Sequence, residues 1–89
     1  MLKSADAGRT WQRFGAVATP AGEGGEPTMA DLKSGKVVMV LRTRDGELWR
    51  SLSVDKGETW SGPEKRGLAG TSSASHLLYT RQGTLVLTN

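Results

Sequence analysis

The sequence has 89 residues, enough for one small domain with a modest hydrophobic core. Its 12 Lys and Arg residues are interspersed with 9 Asp and Glu, and the nearest approach to a basic cluster is Lys65-Arg66. This pattern argues against nucleic-acid binding, which needs basic residues concentrated on one element. The absence of Cys excludes disulfides and thiolate metal sites, and the longest apolar run, residues 37–41, is too short to span a membrane.

The chain starts with an eight-residue pattern that it later repeats. Residues 4–11 read S-x-D-x-G-x-T-W, and residues 53–60 read the same, at an offset of 49. Asp can accept hydrogen bonds from amides just downstream, Gly can adopt a positive φ, and Ser and Thr hydroxyls can satisfy further backbone groups. The pattern therefore predicts a tight turn closed by its own side chains. The fixed residues are Ser4, Asp6, Gly8, Thr10 and Trp11 in the first copy, and Ser53, Asp55, Gly57, Thr59 and Trp60 in the second.

Alternating and β-branched residues predict strands on either side of these turns. Residues 11–17 form an outer strand, and residues 18–27, rich in Gly, Pro and Glu, form a loop. Strands then follow over residues 28–33, 37–43 and 47–53, separated by turns at 34–35 and 45–46. A fourth strand begins at Trp60. Together they predict a complete four-stranded antiparallel unit over residues 27–66.

The end of the chain repeats the start of that unit. After a small-residue loop over residues 67–75, two strands are predicted at 76–81 and 84–88. Gly83 repeats Gly35, and the apolar run 85–87 repeats 37–39, at an offset of 48. The octapeptide and the hairpin thus recur with nearly the same period, 49 and 48 residues, which predicts a repeat architecture. We expect three parts: the end of one unit (1–19), a complete unit (27–66) and the start of a third (74–89).

The repeated octapeptide resembles the Asp box of the BNR-repeat, sialidase-like β-propellers. The resemblance covers nearly the whole chain and implies an all-β fragment of a six-bladed propeller, with about one complete blade and parts of two neighbours. In that family the Asp box is structural, joins the third and fourth strands of a blade, and lies away from the active site. Propellers close with about four to eight blades. We therefore expect the chain to be a piece of a longer protein, to fold poorly or associate alone, and to be inactive unless several copies close a ring.

Two charged residues bracket the first hairpin of the complete unit. Glu26 and Arg42 are equidistant from Ser34 at the turn, so an antiparallel pairing places them opposite each other, away from the Asp boxes. This hairpin resembles one in exo-α-sialidases, in which a Glu opens the first strand and an Arg closes the second. The resemblance implies that Glu26 is the catalytic carboxylate that takes a proton from a nucleophilic Tyr, and that Arg42 is one of three arginines that bind the substrate carboxylate. The alternative is a plain salt bridge.

The resemblance leaves two functions open. In the first, the parent protein is a retaining exo-α-sialidase that acts on terminal sialic acids of glycoconjugates. In the second, it is a non-catalytic propeller that binds glycans or proteins. The nucleophilic Tyr, an acid/base Asp and the other two arginines are expected outside these residues, since Tyr79 lies within a strand and is predicted to be core. An autonomous 89-residue binding module is disfavoured because both terminal blades are incomplete.

The remaining candidates carry little chemistry. His76 lies near three serines, but no G-x-S-x-G motif is present, and it is interpreted as a strand-start residue. Met29 and Met39 are predicted to be blade core. No cofactor and no metal site are expected, and the expected partner is a sialylated glycan or another carbohydrate, without nucleic acid or a membrane span. No signal peptide precedes the first Asp box, and the localisation stays open, with a secreted or periplasmic parent compatible with the sequence.

Overall fold

The computed structural model describes residues 1–13, 25–43, 45–70 and 74–88. In these residues all regular structure is strand, arranged as three antiparallel sheets with the orders β1-β2, β3-β4-β5-β6 and β7-β8. The strands are β1 (Leu2–Lys3), β2 (Gln12–Arg13), β3 (Gly25–Asp31), β4 (Val37–Arg42), β5 (Glu47–Ser53), β6 (Glu64–Ala69), β7 (His76–Tyr79) and β8 (Leu85–Thr88). Within the described ranges, no helix is long and apolar enough to cross a lipid bilayer.

The central four-stranded sheet is a meander in which each strand pairs with the next. Its fourth strand begins later than Trp60, the predicted start, and extends past residue 66. Pro63 lies just before β6 and has no N–H to donate to a ladder, which delays regular pairing. The β5–β6 register also shifts between Glu47 and Trp49, opposite a stretch of β6 in which Gly67 has a φ of +71°.

The two predicted Gly-containing hairpins close in the same way. The Leu32 N–H donates to the Lys36 carbonyl at 2.8 Å, and the Thr80 N–H donates to the Thr84 carbonyl at 2.9 Å. These two hydrogen bonds are related by the offset of 48 residues that the sequence shows. The φ of Gly83 is +87°, which glycine adopts without steric cost. The repeat in the sequence is therefore also a repeat in the backbone hydrogen bonds of the two turns.

The hydrophobic core lies on both faces of the central sheet. On one face, a first cluster joins β3, β4 and β5 to Leu77 of β7, and the Leu77 N–H donates to the Thr28 hydroxyl at 3.0 Å. On the other face, a second cluster packs against Met1 and Trp60. The buried members are Ala30, Val38, Val40, Leu48 and Leu77 in the first cluster, and Met39, Leu41 and Trp49 in the second. Because Leu77 of the neighbouring sheet covers one face, and Met1 and Trp60 cover the other, β4 is apolar on both sides.

This arrangement confirms the predicted fold class: an all-β piece of a β-propeller, with one complete blade and parts of two neighbours. One core prediction is wrong. Met39 is 1% exposed, whereas Met29, directly opposite it, is 50% exposed. Met39 lies on β4 with strands on both sides, while Met29 lies on the edge strand β3 and faces a hollow that Met1 and Trp60 only partly fill. Tyr79 packs against the first cluster as predicted, and His76 begins β7.

Candidate functional site

The second Asp box is a turn whose polar side chains bond to one another and to its backbone. The Ser53 hydroxyl donates to Asp55 at 2.7 Å and accepts from the Gly57 N–H at 2.8 Å. Asp55 accepts from the Thr59 N–H at 2.9 Å and from the Thr59 hydroxyl. The Trp60 indole N–H donates to the Gly57 carbonyl at 3.0 Å. Every fixed residue of the motif therefore participates in closing the turn.

The first Asp box has the same set of contacts in a more exposed position. The Ser4 hydroxyl donates to Asp6 at 2.8 Å and accepts from Gly8 at 2.8 Å, and the Thr10 N–H donates to Asp6 at 2.8 Å. The Trp11 indole N–H donates to the Gly8 carbonyl at 3.0 Å. Because the same conformation forms with and without burial, the sequence of the box itself determines its geometry.

The hydrogen bonds lower the pKa of both box carboxyl groups. For Asp6 and for Asp55 the pKa falls to about 2, chiefly because the hydroxyl of the Thr four residues later donates to the carboxylate. The amide of the same Thr and the Ser hydroxyl add to this effect. Each carboxylate already accepts three hydrogen bonds from its own turn, which suits a structural role rather than a catalytic one.

The Asp boxes and the Glu26–Arg42 pair lie at opposite ends of the central sheet. Ser53, at the start of the second box, pairs with Val37 at the beginning of β4, and the Lys56 N–H donates to the Gly35 carbonyl at 2.8 Å. Arg42 is the last residue of β4. The second box therefore packs against the turn at 33–36, and Arg42 lies at the other end of the same strands.

A β-bulge lies at Glu26, on the strand that pairs with Arg42. The register pairs Thr28 with Val40 and Gly25 with Arg42, so Glu26 and Pro27 together face the single residue Leu41. Glu26 has a φ of +52°, an unfavourable conformation for a residue with a side chain. The prediction that Glu26 and Arg42 are direct backbone partners is therefore wrong by one residue. Bulges re-aim side chains, and this one is accompanied by contact between the two charged groups.

The two side chains form an ion pair that is open to solvent. Arg42 Nε lies 2.9 Å from Glu26 Oε2, and the side chains are 32% and 47% exposed, respectively. The pair is thus formed at the end of the blade that the sequence predicted, and a ligand approaching this end can reach both groups.

A profile of the BNR repeat-like domain matches residues 1–89. The chain belongs to the BNR repeat-like family. No curated protein matched it in a sequence comparison. The match to this BNR repeat-like domain agrees with the two Asp boxes, which close with the same hydrogen bonds. Because a fold does not determine a function, membership identifies the repeat, and the function has to be argued from the site.

The same end of the BNR repeat-like blade holds a second polar cluster, which the sequence did not predict. Asp45 accepts hydrogen bonds from the Thr43 hydroxyl and, at 3.2 Å, from the Trp49 indole N–H. Lys65 Nζ lies 3.0 Å from Asp45, 3.4 Å from Glu47 and 5.3 Å from the centre of the Trp49 ring. The cluster ties β6 to the β4–β5 hairpin. Its one sequence signal is the alternation of Thr43, Asp45 and Glu47 around the Asp-Gly turn.

The charged groups of this cluster are paired with one another. The Thr43 hydroxyl and then Lys65 hold the pKa of Asp45 well below its usual range, and Asp45 in turn raises the pKa of Lys65. Each charge therefore has a partner within the blade, which favours a structural role for the cluster. Among the described residues, no group of three His, Cys, Asp or Glu side chains is placed to hold a metal ion.

A second ion pair in the same sheet provides an internal comparison. Arg50 of β5 and Glu64 of β6 are direct cross-strand partners, with Nη2 and Oε1 2.7 Å apart and side chains 32% and 51% exposed. Chemistry and exposure match those of the Glu26–Arg42 pair. The difference is the backbone: Arg50 and Glu64 meet through regular pairing, whereas the contact between Glu26 and Arg42 is accompanied by a bulge and a positive φ.

Proposed function

We propose that these residues are part of an exo-α-sialidase-type glycoside hydrolase that acts on terminal sialic acids of glycoconjugates. The observation that carries the proposal is the Glu26–Arg42 ion pair at the end of the blade opposite the second Asp box. Sialic acids carry a carboxylate on the anomeric carbon, and a planar guanidinium can bind a carboxylate through two parallel hydrogen bonds. Arg42 is the proposed donor.

The backbone at Glu26 supports a functional role for this carboxylate. A left-handed backbone conformation costs a residue other than glycine about 1–2 kcal/mol. Four other non-glycine residues in the described ranges have a positive φ, but they lie in turns, whereas Glu26 lies within β3: Ala7, Lys33, Ser34 and Lys56. Strain of this kind tends to occur at active sites and ligand clamps, where the position of a side chain matters more than local stability. A plain salt bridge does not need it, as the regular pairing of Arg50 with Glu64 shows.

In the proposed mechanism, Glu26 accepts the proton of a Tyr nucleophile contributed by another blade. The substrate carboxylate lies on the anomeric carbon, so it would repel a carboxylate nucleophile that approaches the oxocarbenium-like transition state. Sialidases use Tyr as the nucleophile instead. Arg42 would neutralise the substrate carboxylate and orient the sugar. Because such residues act as a unit, the two alone are not expected to hydrolyse a sialoside.

The second candidate is a non-catalytic BNR propeller that binds glycans or proteins. One observation favours it: the Glu26 carboxylate is already engaged by Arg42, which is what a structural ion pair does. In that case the pair contributes a small stabilisation and the ligand is held without reaction.

The matched ion pairs provide the test. Hydrolysis of a fluorogenic sialoside would be measured for the complete protein that carries these residues, with Glu26→Gln and Arg42→Lys compared against Glu64→Gln and Arg50→Lys. The proposal expects kcat/KM to fall by about 10²-fold or more for Glu26→Gln, the size of a lost general base. It should also fall for Arg42→Lys, because lysine cannot make the two parallel hydrogen bonds to the substrate carboxylate, and it should change little for the controls. Equal hydrolysis by Glu26→Gln and Glu64→Gln would refute it. Binding of a sialylated glycan without hydrolysis by the wild type would favour the second candidate.

A further inference from the structure

Arg42, the proposed carboxylate-binding residue, lies between two residues whose side chains are buried. Leu41 is 3% exposed and Thr43 is 9% exposed. Because successive side chains of a strand point to opposite faces, the burial of both neighbours places Arg42 on the face that it shares with Leu48, its partner on β5. Arg42 is also the last residue of β4. The direction of its side chain therefore depends on how the chain is held immediately after this strand.

The chain that follows β4 is held by the side chain of Asp45. One carboxylate oxygen accepts hydrogen bonds from the Thr43 hydroxyl and, at 3.1 Å, from the Glu47 N–H. The other oxygen accepts from the Trp49 indole N–H at 3.2 Å and lies 3.0 Å from Lys65 Nζ. A single carboxylate therefore joins the first residue after β4 to β5 and to β6.

The turn at Asp45 and Gly46 differs from the usual Asp-Gly hairpin. That hairpin has a positive φ at both central residues and closes through its backbone. Here Gly46 has a φ of +80°, and Asp45 is not among the residues with a positive φ. Instead, the Asp45 side chain bonds to the amide two residues later, and the Gly46 carbonyl accepts from the Gly70 N–H at 2.8 Å, just after β6. Contacts with the side chain and with β6 thus determine the shape of this loop.

An arginine that binds a carboxylate needs its guanidinium group in a defined position, because the two parallel hydrogen bonds require matched planes. The ion pair with Glu26 is open to solvent, and a pair of this kind contributes only about 0–1 kcal/mol. The backbone that carries Arg42 therefore matters for its position. A displacement of about 1 Å, caused by a residue away from the reacting atoms, can lower activity by about 10²-fold.

We propose that Asp45 is a positioning residue for Arg42. It fixes the chain after β4, through Thr43 and the turn, so that the guanidinium group meets the substrate carboxylate in the geometry for two hydrogen bonds. Asp45 acts through these contacts and does not touch the substrate. This inference rests on the proposed function, because it assigns Asp45 to the same binding site. An Asp45 that only stabilises the blade would leave the position of Arg42 unchanged.

The first experiment measures sialoside hydrolysis by the complete protein that carries these residues. Asp45→Asn keeps the size of the side chain and removes the charge that lies beside Lys65. We expect kcat/KM to fall by about 10-fold or more, mainly through a higher KM, because a displaced Arg42 binds the substrate carboxylate less well. Thr43→Val should have the same effect, whereas Thr43→Ser keeps the hydroxyl and should retain most of the activity.

Asp55→Asn is the matched control. Asp55 also accepts a hydrogen bond from a Thr hydroxyl, but it lies in the Asp box at the other end of the sheet. At temperatures where both variants are folded, Asp55→Asn should leave kcat/KM unchanged. In an Arg42→Lys background, Asp45→Asn should cost little further activity, because the group that it positions is already replaced. Additive losses from Asp45→Asn and Arg42→Lys would overturn the proposal.

The second experiment observes Arg42 directly and does not depend on catalysis. Arg42 Nε lies 2.9 Å from Glu26 Oε2, and the NMR signal of its N–H group can be assigned as the one absent from Arg42→Lys. Asp45→Asn should increase the exchange rate of this hydrogen with solvent, and Asp55→Asn should not. Equal rates in the wild type and Asp45→Asn would overturn the proposal. A wild type that hydrolyses no sialoside would refute the proposed function instead, and the exchange rates would still decide whether Asp45 positions Arg42.

Discussion

Arg42 and Glu26 form an ion pair at 2.9 Å although the partner of Arg42 on β3 is Gly25. The one-residue difference comes from the bulge at Glu26 and Pro27, where two residues face Leu41. Regular pairing would have placed Glu26 directly across from Arg42. The bulge instead gives Glu26 a positive φ, so the position of its carboxylate is obtained at a cost in backbone energy.

This relationship predicts that stability and function respond differently at Glu26. Glu26→Gly removes the left-handed strain, worth about 1–2 kcal/mol, loses a solvent-exposed ion pair worth about 0–1 kcal/mol, and costs about 0.5–1 kcal/mol in chain entropy. We expect these contributions nearly to cancel, so that the free energy of unfolding stays within about 1.5 kcal/mol of the wild type, while ligand binding or turnover at this end is lost. Urea unfolding of the variant and the wild type measures the first quantity.

Glu64→Gly is the matched control for that experiment. Glu64 lies in regular β6 and is not among the residues with positive φ, so glycine there relieves no strain. It should destabilise the protein by about 0.5–1 kcal/mol through chain entropy, with a further contribution from the lost contact with Arg50. Equal losses for both variants would show that the φ of Glu26 is not strained.

Local turns and the repeat could be predicted from the sequence. Features whose geometry depends on strands distant in the sequence could not. The Asp box could be predicted because its hydrogen bonds join residues within eight positions, as the exposed first copy shows. The bulge at Glu26 could not be predicted, because the pattern of residues 26–42 is symmetric about the turn. The exposure of Met29 also depends on how completely another sheet covers it.

The Asp45 cluster was missed for a related reason. Its members are separated by up to 22 positions in sequence, between Thr43 and Lys65, and come together only through the β5–β6 pairing. The sequence showed an Asp-Gly turn, whose usual interpretation needs no side-chain network. The candidate ion pair was found from a family resemblance and the hairpin symmetry together, while its detailed geometry came from the structure.

The two Asp boxes should differ in what they contribute to stability. Ser53 is buried, so Ser53→Ala leaves the buried Gly57 N–H without its acceptor, and we expect a loss of about 1–3 kcal/mol. Ser4 makes the same contacts where water can replace the hydroxyl, and Ser4→Ala should cost less than about 1 kcal/mol. Denaturant unfolding of the two variants gives the comparison. A larger loss for Ser4→Ala would show that the first box is the main structural element.

The two methionines that face each other across β3 and β4 should also differ. Met39→Ala leaves a cavity in the second core cluster and should cost about 2–5 kcal/mol. Met29→Ala removes a half-exposed side chain, and its expected cost is below about 1 kcal/mol in the isolated chain. A large effect would mean that Met29 is more deeply packed than its exposure indicates.

The Asp boxes predict a loss of stability in acid. The pKa of Asp55 is lowered from 3.8 to about 2, chiefly by the Thr59 hydroxyl, so the folded protein binds this proton more weakly than the unfolded chain. The resulting stabilisation is complete above pH 4 and is lost as the pH falls towards 2. Asp6 contributes in the same direction. Urea midpoints for wild type and Asp55→Asn should therefore converge as the pH falls from 4 to 2, and Thr59→Val should move the decline to higher pH. A difference between wild type and Asp55→Asn that is as large at pH 2 as at pH 7 would mean that ionisation of Asp55 does not stabilise the turn.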